Sequence, residues 1–181
     1  MTKIIKLDKN LSNQIAAWEV VERPISIVKE LIENSIDAFA SNIKIEIEEW
    51  WITYISISDN WTGIEKDDVK WVCEKCSTRK IKNLNDLYNV MTFWFRWEAM
   101  ASISSVSNMK ISSKTKNDIS WSYIEINGWD KSEIKSIAFD NWTKIIVKDL
   151  FFNTPARLNY IKKARTEYNH ILNYIYEVAL S

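Results

Sequence analysis

The chain has 181 residues, of which 46% are hydrophobic and 27% charged, a composition typical of one soluble globular domain with its own apolar core. Its formal net charge is zero, so bulk electrostatic attraction does not favour nucleic acid, and any DNA contact depends on local patches or on regions outside this chain. There is neither a charged-then-apolar leader nor an apolar run long enough to span a bilayer, so we expect a cytoplasmic protein with no membrane partner.

Two helices and two strands are predicted in the first third of the chain. A short amphipathic segment over 11–20 ends before Pro24, which suits the first turn of the next helix. Over 25–38 the apolar residues recur at steps of three and four, which is the period of a helix. Alternating isoleucines over 43–47 and 52–58 predict two adjacent strands.

The rest of the chain alternates short helices with strand-like stretches. Helices are predicted over 67–76, 84–91, 98–106 and 167–179. Strands are predicted over 109–113, 120–126, 134–139 and 144–147, and together they look like a meander. The implied fold class is α+β or mixed α/β, with helices layered on a largely antiparallel sheet.

Glycine and tryptophan are present in unusual numbers. Average usage of about 7% glycine would give roughly 13 residues. The chain instead has 2 Gly and 10 Trp, and the two counts together come close to the ordinary glycine quota. Trp50 and Trp51 lie between the two predicted strands, where a hairpin turn needs a positive φ that glycine accepts and a bulky aromatic residue resists.

Two cysteines form a C-x-x-C pair at Cys73 and Cys76. With no second pair and a single histidine, His170, the chain cannot complete a four-ligand zinc site. The same spacing falls naturally on one face of a helix. We therefore expect reduced, structural thiols.

Polar side chains recur at helical spacing on the predicted 25–38 helix. Glu30, Asn34 and Asp37 are spaced i, i+4, i+7, so one ridge carries a carboxylate, an amide and a second carboxylate. Spacing alone favours a solvated polar face opposite the core. The alternative is a nucleotide site, in which Asn34 binds a divalent cation and Glu30 orients or deprotonates the attacking water.

Further motifs decide between these alternatives once glycine is written at the tryptophan positions. The series then reads Q-I-A-A-G-E-V-V-E-R-P over 14–24, K-E-L-I-E-N-S-I-D-A over 29–38, D-N-G-T-G-I over 59–64, G-F-R-G-E-A-M-A-S-I-S-S-V over 94–106 and F-N-T-P-A-R over 152–157. Any one motif alone indicates only the wider GHKL ATPase superfamily. The first, fourth and last are specific to MutL, and the chain resembles the N-terminal ATPase region of a MutL-type DNA mismatch-repair protein.

The resemblance implies a fold, an activity and partners. The expected fold is the GHKL-type two-layer α/β sandwich, with residues 1–181 forming the N-terminal ATPase domain and with the second subdomain and the C-terminal dimerisation domain absent. The expected activity is that of a switch, which binds ATP with Mg²⁺, hydrolyses it slowly and forms a homodimer on ATP binding. The implied partners are a MutS-like mismatch recognition protein and, through the full-length protein, DNA.

The resemblance also assigns roles to single residues. Glu30 matches the general base, Asn34 the magnesium-binding asparagine, and Asp59 the acid that hydrogen-bonds the adenine amino group. An Asp acceptor suits an exocyclic amine, and an Asn oxygen suits a hard cation. Asp37 and Ala38 match positions beside the nucleotide, and Gly63 matches the nucleotide loop. Thr78 and Lys80 match positions near the phosphates. Arg96 matches the lid, and Thr143 matches a position near the adenine pocket.

Tryptophan stands at several family glycine positions that face the nucleotide. A backbone can approach phosphate closely, or take a positive φ, only where no Cβ intrudes. With indoles at Trp61, Trp94, Trp97 and Trp142, the space for ATP would be filled. Phe39 is a separate departure, since it stands where the family usually has glycine.

Three interpretations of the tryptophans stay open. They are ordinary core aromatics; or the chain is a pseudoenzyme, a non-catalytic interaction module with a filled site; or UGA codons meant as glycine were translated as tryptophan. The survival of Glu30, Asn34 and Asp59 favours recoding. Recoding predicts UGA at the tryptophans that match family glycines, including Trp18, whereas Trp71, Trp121 and Trp129 match no motif glycine.

Overall fold

The computed structural model describes residue 5 and residues 7–48, 54–60, 62–74, 97–138 and 143–180, without the side chains of 9–14, 97 and 98. The helices are α1 (Lys9–Val20), α2 (Pro24–Asp37), α3 (Lys66–Val69), α4 (Trp97–Ser105), α5 (Pro155–Leu158) and α6 (Ala164–Ala179). The strands are β1 (Ile43–Ile47), β2 (Ile55–Asp59), β3 (Asn108–Ser113), β4 (Trp121–Asn127), β5 (Asp130–Lys131), β6 (Lys135–Ile137) and β7 (Thr143–Lys148). None of these helices is long and apolar enough to cross a bilayer.

The strands of the described ranges form one antiparallel sheet. Its order is β1-β2-β7-β3-β4-β5, and β6 also pairs with β4. The prediction that the last four strands form a meander is therefore wrong, because β7 returns to lie between β2 and β3. Its pairing with β2 joins residues 84 to 92 positions apart, which no local pattern reveals.

The two faces of the sheet differ in polarity. Residues directly opposite each other on antiparallel strands point to the same face, and two rows of such residues build the core. One row is Ile57, Ile145, Ile111 and Ile124, and the next is Ile55, Val147, Met109 and Ile126. The opposite face carries ion-paired residues, among them Lys44 with Glu46 and Lys110 with Glu125.

The helices cover the apolar face. Helix α2 packs on β2 and on α6, while α1 packs on α4, which in turn contacts β3 and β4. The buried face of α2 is Ile27, Val28, Leu31, Ile32 and Ser35, at the helical spacing read from the sequence. This arrangement confirms the α+β two-layer sandwich, with helices on one face of an antiparallel sheet.

Helix α2 has a well-defined start and end. Pro24 occupies its first turn, where the missing N–H costs no hydrogen bond. At the other end Ala40 N–H donates to Ser35 O at 3.0 Å and Phe39 N–H donates to Ile36 O at 2.8 Å. These two bonds form a Schellman motif, in which Phe39 takes the left-handed position with φ 61°.

Two arginines anchor the corner between α1 and α2. Arg157 Nη2 donates to Trp18 O at 2.9 Å and Nη1 to Val21 O at 3.1 Å, so the guanidinium caps carbonyl groups at the end of α1. Arg23, which precedes α2, donates to Glu167 Oε1 at 2.7 Å. The entry to α2 is thus fixed from α5 and α6.

The predicted helices agree with the structure over most of their lengths. Helices α1, α2 and α4 are confirmed, and α6 is confirmed but begins three residues earlier, at Ala164. The helix predicted over 67–76 is wrong over 70–74, because the chain continues there in tight turns, such as the one in which Trp71 N–H donates to Asp68 O at 2.8 Å. The helix predicted over 84–91, the turn at Trp50 and Trp51, and Cys76 lie outside the described residues.

Candidate nucleotide site

A row of buried polar side chains ends the apolar face of the sheet. Asp59 pairs with Thr143, Thr143 with Ser113, and Ser113 with Ser122 across four neighbouring strands. All four residues are buried. They point to the same face as the isoleucine rows, because on each strand they lie two positions away from the isoleucine of the first row. The helix-covered face of the sheet therefore has a polar end.

Asp59 is held in place by helix α2. The Ser35 hydroxyl donates to Asp59 Oδ2 at 2.8 Å and lies 3.1 Å from the carbonyl oxygen of Leu31. A carboxylate and a carbonyl only accept hydrogen bonds, so the single hydroxyl proton of Ser35 must point toward these acceptors. The bond to the charged group is the stronger kind. It fixes one oxygen of Asp59 against the helix that carries Asn34.

The loop after β2 lies against the end of β3. Gly63 has φ 81°, and a Cβ at this position would lie 1.8 Å from Lys114 O. The next residue, Ile64, donates its N–H to Ser113 Oγ at 2.9 Å. No residue other than glycine fits at 63 without moving the backbone, so the predicted site residue Gly63 is required by the local geometry.

The polar ridge of α2 is not a fully solvated face. Glu30, Asn34 and Asp37 are half-buried, the Oε2 atom of Glu30 is buried, and Ala38 is buried at the end of the helix. The flanking Glu33 accepts a hydrogen bond of 2.9 Å from the Tyr174 hydroxyl of α6. The ridge is therefore partly shielded from solvent.

Some of the predicted site residues lie outside the described ranges. These are Thr78, Lys80 and Arg96, and the same holds for Trp61, Trp94 and Trp142 and for the side chain of Trp97. The structure brings together Asp59, Gly63 and Thr143 at one end of the sheet, and Ser35, the chain neighbour of Asn34 on α2, bonds to Asp59. Glu30 lies one helical turn before Asn34.

The described tryptophans do not take glycine-like backbone conformations. In the described part of the chain, positive φ occurs at Phe39, Asp149, Phe151 and the two glycines, so Trp18 has an ordinary helical backbone. Its ring is half-buried beneath the Arg157 guanidinium, and its Nε1 is buried without a hydrogen-bond partner. Trp18 therefore destabilises the folded state through a buried N–H group without a hydrogen bond, and not through a strained φ.

Comparison with known proteins decides the family. Residues 22–150 match the family described as histidine kinase-, DNA gyrase B- and HSP90-like ATPase. The chain belongs to this family. Among curated relatives, the DNA mismatch repair protein MutL of Streptococcus mutans is 45% identical over 181 residues, which is 100% of this chain and 28% of that protein. MutL of Pseudoalteromonas translucida is 48% identical over 177 residues, which is 97% of this chain and 28% of that protein.

A solved relative supports the same assignment. The Aquifex aeolicus MutL ATPase domain complexed with ADP is 32% identical, with a TM-score of 0.71, over 89% of this chain and 56% of that one. The recognition of a MutL-type GHKL ATPase region from the motifs is confirmed. The chain spans 28% of the length of the curated MutL relatives named above.

Two residues of the site carried little signal in the sequence. Ser35 occupies a position in the apolar stripe of α2. A serine among apolar residues, next to Asn34, is the one feature of the sequence that hints at its contact with Asp59. Ser113 ends a strand outside every motif. Only the strand pairing shows that it lies beside Thr143.

Proposed function

We propose that this chain binds ATP with Mg²⁺ and hydrolyses it slowly, as the ATPase switch of a MutL-type DNA mismatch-repair protein. The observation that carries the proposal is the buried Asp59 carboxylate, which is fixed by Ser35 and lies beside Thr143 where the sheet meets α2. An ionised carboxylate only accepts hydrogen bonds, so Asp59 is suited to a ligand that presents a donor. The exocyclic amine of adenine provides one.

The metal requirement fits an ion held mainly by the nucleotide. The described residues contain no group of three His, Cys, Asp or Glu side chains that could bind a metal by themselves. Asn34 offers one amide oxygen, and Mg²⁺ ordinarily completes its octahedral shell with phosphate oxygens and water. When bound, Mg²⁺ neutralises charge on the transferred phosphoryl group.

Glu30 is the proposed general base. Its side chain is half-buried one turn before Asn34, so the residue that would hold the metal and the residue that would act on the water lie on the same ridge of α2. A glutamate in this place orients the water and accepts its proton. By the resemblance, Thr78 and Lys80 act near the phosphates and Arg96 acts in the lid.

The role of the whole protein is proposed from its relatives. They are named DNA mismatch repair proteins, and one relative was solved with ADP. We place residues 1–181 as the N-terminal ATPase domain of a longer protein, which forms a homodimer on ATP binding. A MutS-like mismatch recognition protein and DNA are the proposed partners of that full-length protein.

The pseudoenzyme alternative is not supported, since the resemblance to MutL extends over almost the whole chain at 45–48% identity. Recoding of UGA stays our hypothesis for the tryptophans. It predicts UGA codons at one or both of Trp50 and Trp51 and at the five motif tryptophans, which are Trp18, Trp61, Trp94, Trp97 and Trp142. UGG at these sites would contradict it.

A binding titration tests the function directly. The chain as written is compared with a version that carries glycine at positions 18, 61, 94, 97 and 142, and Mg²⁺-ATP is titrated into each by calorimetry. We expect binding by the glycine version and none by the chain as written. A third version with Trp71→Gly and Trp129→Gly is the matched control, because both residues are exposed and match no motif glycine. Equal affinity of the first two versions would refute the recoding hypothesis, and failure of both to bind ATP would refute the proposed function.

A separate variant tests the chemical step. Glu30→Ala in the ATP-binding version should abolish phosphate release while leaving the dissociation constant for Mg²⁺-ATP within about threefold, since a general base acts on water and not on the bound nucleotide. A variant that keeps its turnover would remove Glu30 from this role.

A further inference from the structure

Ser113 lies at the centre of the polar row and is fully buried. Its hydroxyl oxygen is 2.9 Å from Thr143 Oγ1 and accepts the N–H of Ile64 at 2.9 Å. A hydroxyl group can donate one hydrogen bond and accept two. One side chain at the end of β3 thus contacts both the first residue of β7 and the loop that carries Gly63.

We propose that Ser113 is a positioning residue for the adenine end of the site, an inference that rests on the proposed ATP binding. It touches no reacting group. It acts through the Thr143 hydroxyl, whose orientation it fixes, and through the Ile64 backbone, which it holds against β3.

The strand register places Asp59, Thr143 and Ser113 side by side across three neighbouring strands. Thr143 pairs with Asp59 on one side and with Ser113 on the other, so its hydroxyl lies between the carboxylate and the Ser113 hydroxyl. Ser35 fixes Asp59 from the helix layer. The acceptor for the adenine amine and the threonine beside it are therefore each held by a buried serine, one from α2 and one from β3.

Ser113 also fixes the position of the loop that carries Gly63. Gly63 already lies against Lys114 O, so the loop has no space to move toward β3. The bond from Ile64 N–H to Ser113 prevents it from moving away. Without the hydroxyl, the N–H of a half-buried loop residue loses this partner, and the position of Gly63 relative to Thr143 is no longer fixed.

The expected effect is a loss of affinity and of base selectivity together. Loss of one hydrogen bond of this kind should raise the dissociation constant about tenfold. ITP carries a carbonyl oxygen in place of the exocyclic amine, so it lacks the donor that Asp59 is proposed to accept and depends less on the orientation of Asp59 and Thr143. Ser113→Ala should therefore weaken Mg²⁺-ATP binding about tenfold, weaken Mg²⁺-ITP binding much less, and reduce the ratio of the two affinities.

The experiment uses the full chain in the version that binds ATP in the titration described above. Mg²⁺-ATP and Mg²⁺-ITP are titrated into the parent, Ser113→Ala and Ser112→Ala. Ser112 is the matched control, because it is the adjacent buried serine and points to the opposite face, between Lys144 and Tyr123. The Ser112→Ala protein should keep the parent ratio.

A double-variant cycle distinguishes positioning from general destabilisation. Thr143→Val removes the hydroxyl through which Ser113 acts, so adding Ser113→Ala to it should weaken ATP binding by less than the product of the two single effects. Full additivity, or an unchanged ATP-to-ITP ratio in Ser113→Ala, overturns the role of Ser113 while leaving ATP binding by the parent intact. A parent that binds no ATP overturns the proposed function, and this inference with it.

Discussion

Arg23 and Glu167 form an ion pair of 2.7 Å in which the Glu167 side chain is fully buried and the Arg23 side chain is 31% exposed. The two partners should therefore differ in what their removal costs. Arg23→Ala leaves a buried carboxylate without its cation, which costs about 3 to 5 kcal/mol. Glu167→Ala leaves a guanidinium that can still reach water, and it should cost clearly less.

Urea denaturation of both variants measures this difference. Glu177→Ala serves as the control on the same helix, because Glu177 is exposed, and it should change the unfolding free energy by about 0.5 kcal/mol or less. If Glu167→Ala were the more damaging of the two substitutions, the ion pair would not control the position of α2 in the way described.

The two glycines predict unequal effects for the same substitution. Both have positive φ, but a Cβ at Gly128 meets its nearest atom at 3.5 Å, whereas at Gly63 it meets Lys114 O at 1.8 Å. Gly128→Ala should cost about 1 to 2 kcal/mol from its φ alone. Gly63→Ala should cost about 3 kcal/mol or more, because the backbone must shift, and it should also abolish ATP binding. Thermal denaturation of the two proteins side by side checks the order, and equal losses would contradict it.

Phe39 offers a stabilising substitution. It takes φ 61° in the Schellman motif and its side chain is 93% exposed, so the ring contributes little packing while its Cβ strains the backbone. Phe39→Gly should raise the unfolding free energy by about 1 kcal/mol. Phe39→Ala is the control, since it removes the exposed ring but keeps the Cβ, and it should gain much less. No difference between the two in urea denaturation would remove the argument from strain.

Cys73 predicts a loss of stability at high pH. Burial is the main cause that raises the pKa of its thiol from 9.0 to about 12. An acid with a raised pKa stays protonated in the folded state while the unfolded state loses the proton, so this contribution is complete below pH 9 and is lost as the pH rises toward 12. At about pH 10.5 the loss should be about 2 kcal/mol. Cys73→Ala should lack this part of the alkaline decline, and parallel curves for both proteins between neutral and alkaline pH would disprove the assignment.

The sequence predicted those parts of the fold that depend on local periodicity. The isoleucines over 43–47 and 55–57 alternate, and the stripe of α2 follows Pro24 at helical spacing, so β1, β2 and α2 were all expected. Elements α5 and β5 were missed because four and two residues are too short to show a period. The position of β7 was missed because its pairing is entirely long-range.

The site was predictable only where motifs mark it. Asp59, Gly63 and Thr143 were expected from the resemblance, and the structure places all three at one end of the sheet. The assignment of roles to them stays a prediction. Ser113 could not be predicted, since a serine at a strand end has no sequence pattern that reveals its neighbours across the sheet.

The anchors of the α1–α2 corner also have a consequence for biosynthesis. Arg157 and Glu167 contact residues that precede them in the chain by 136 to 144 positions. During translation, therefore, helix α2 emerges from the ribosome long before the residues that hold its entry in place. Contacts of such high sequence separation form late and slow the folding of the chain. Until α6 is synthesised, helix α2 has its apolar stripe and its polar ridge but lacks the contacts that fix its entry, so nascent chains that end before Glu167 should be far more sensitive to protease at this corner than the finished domain.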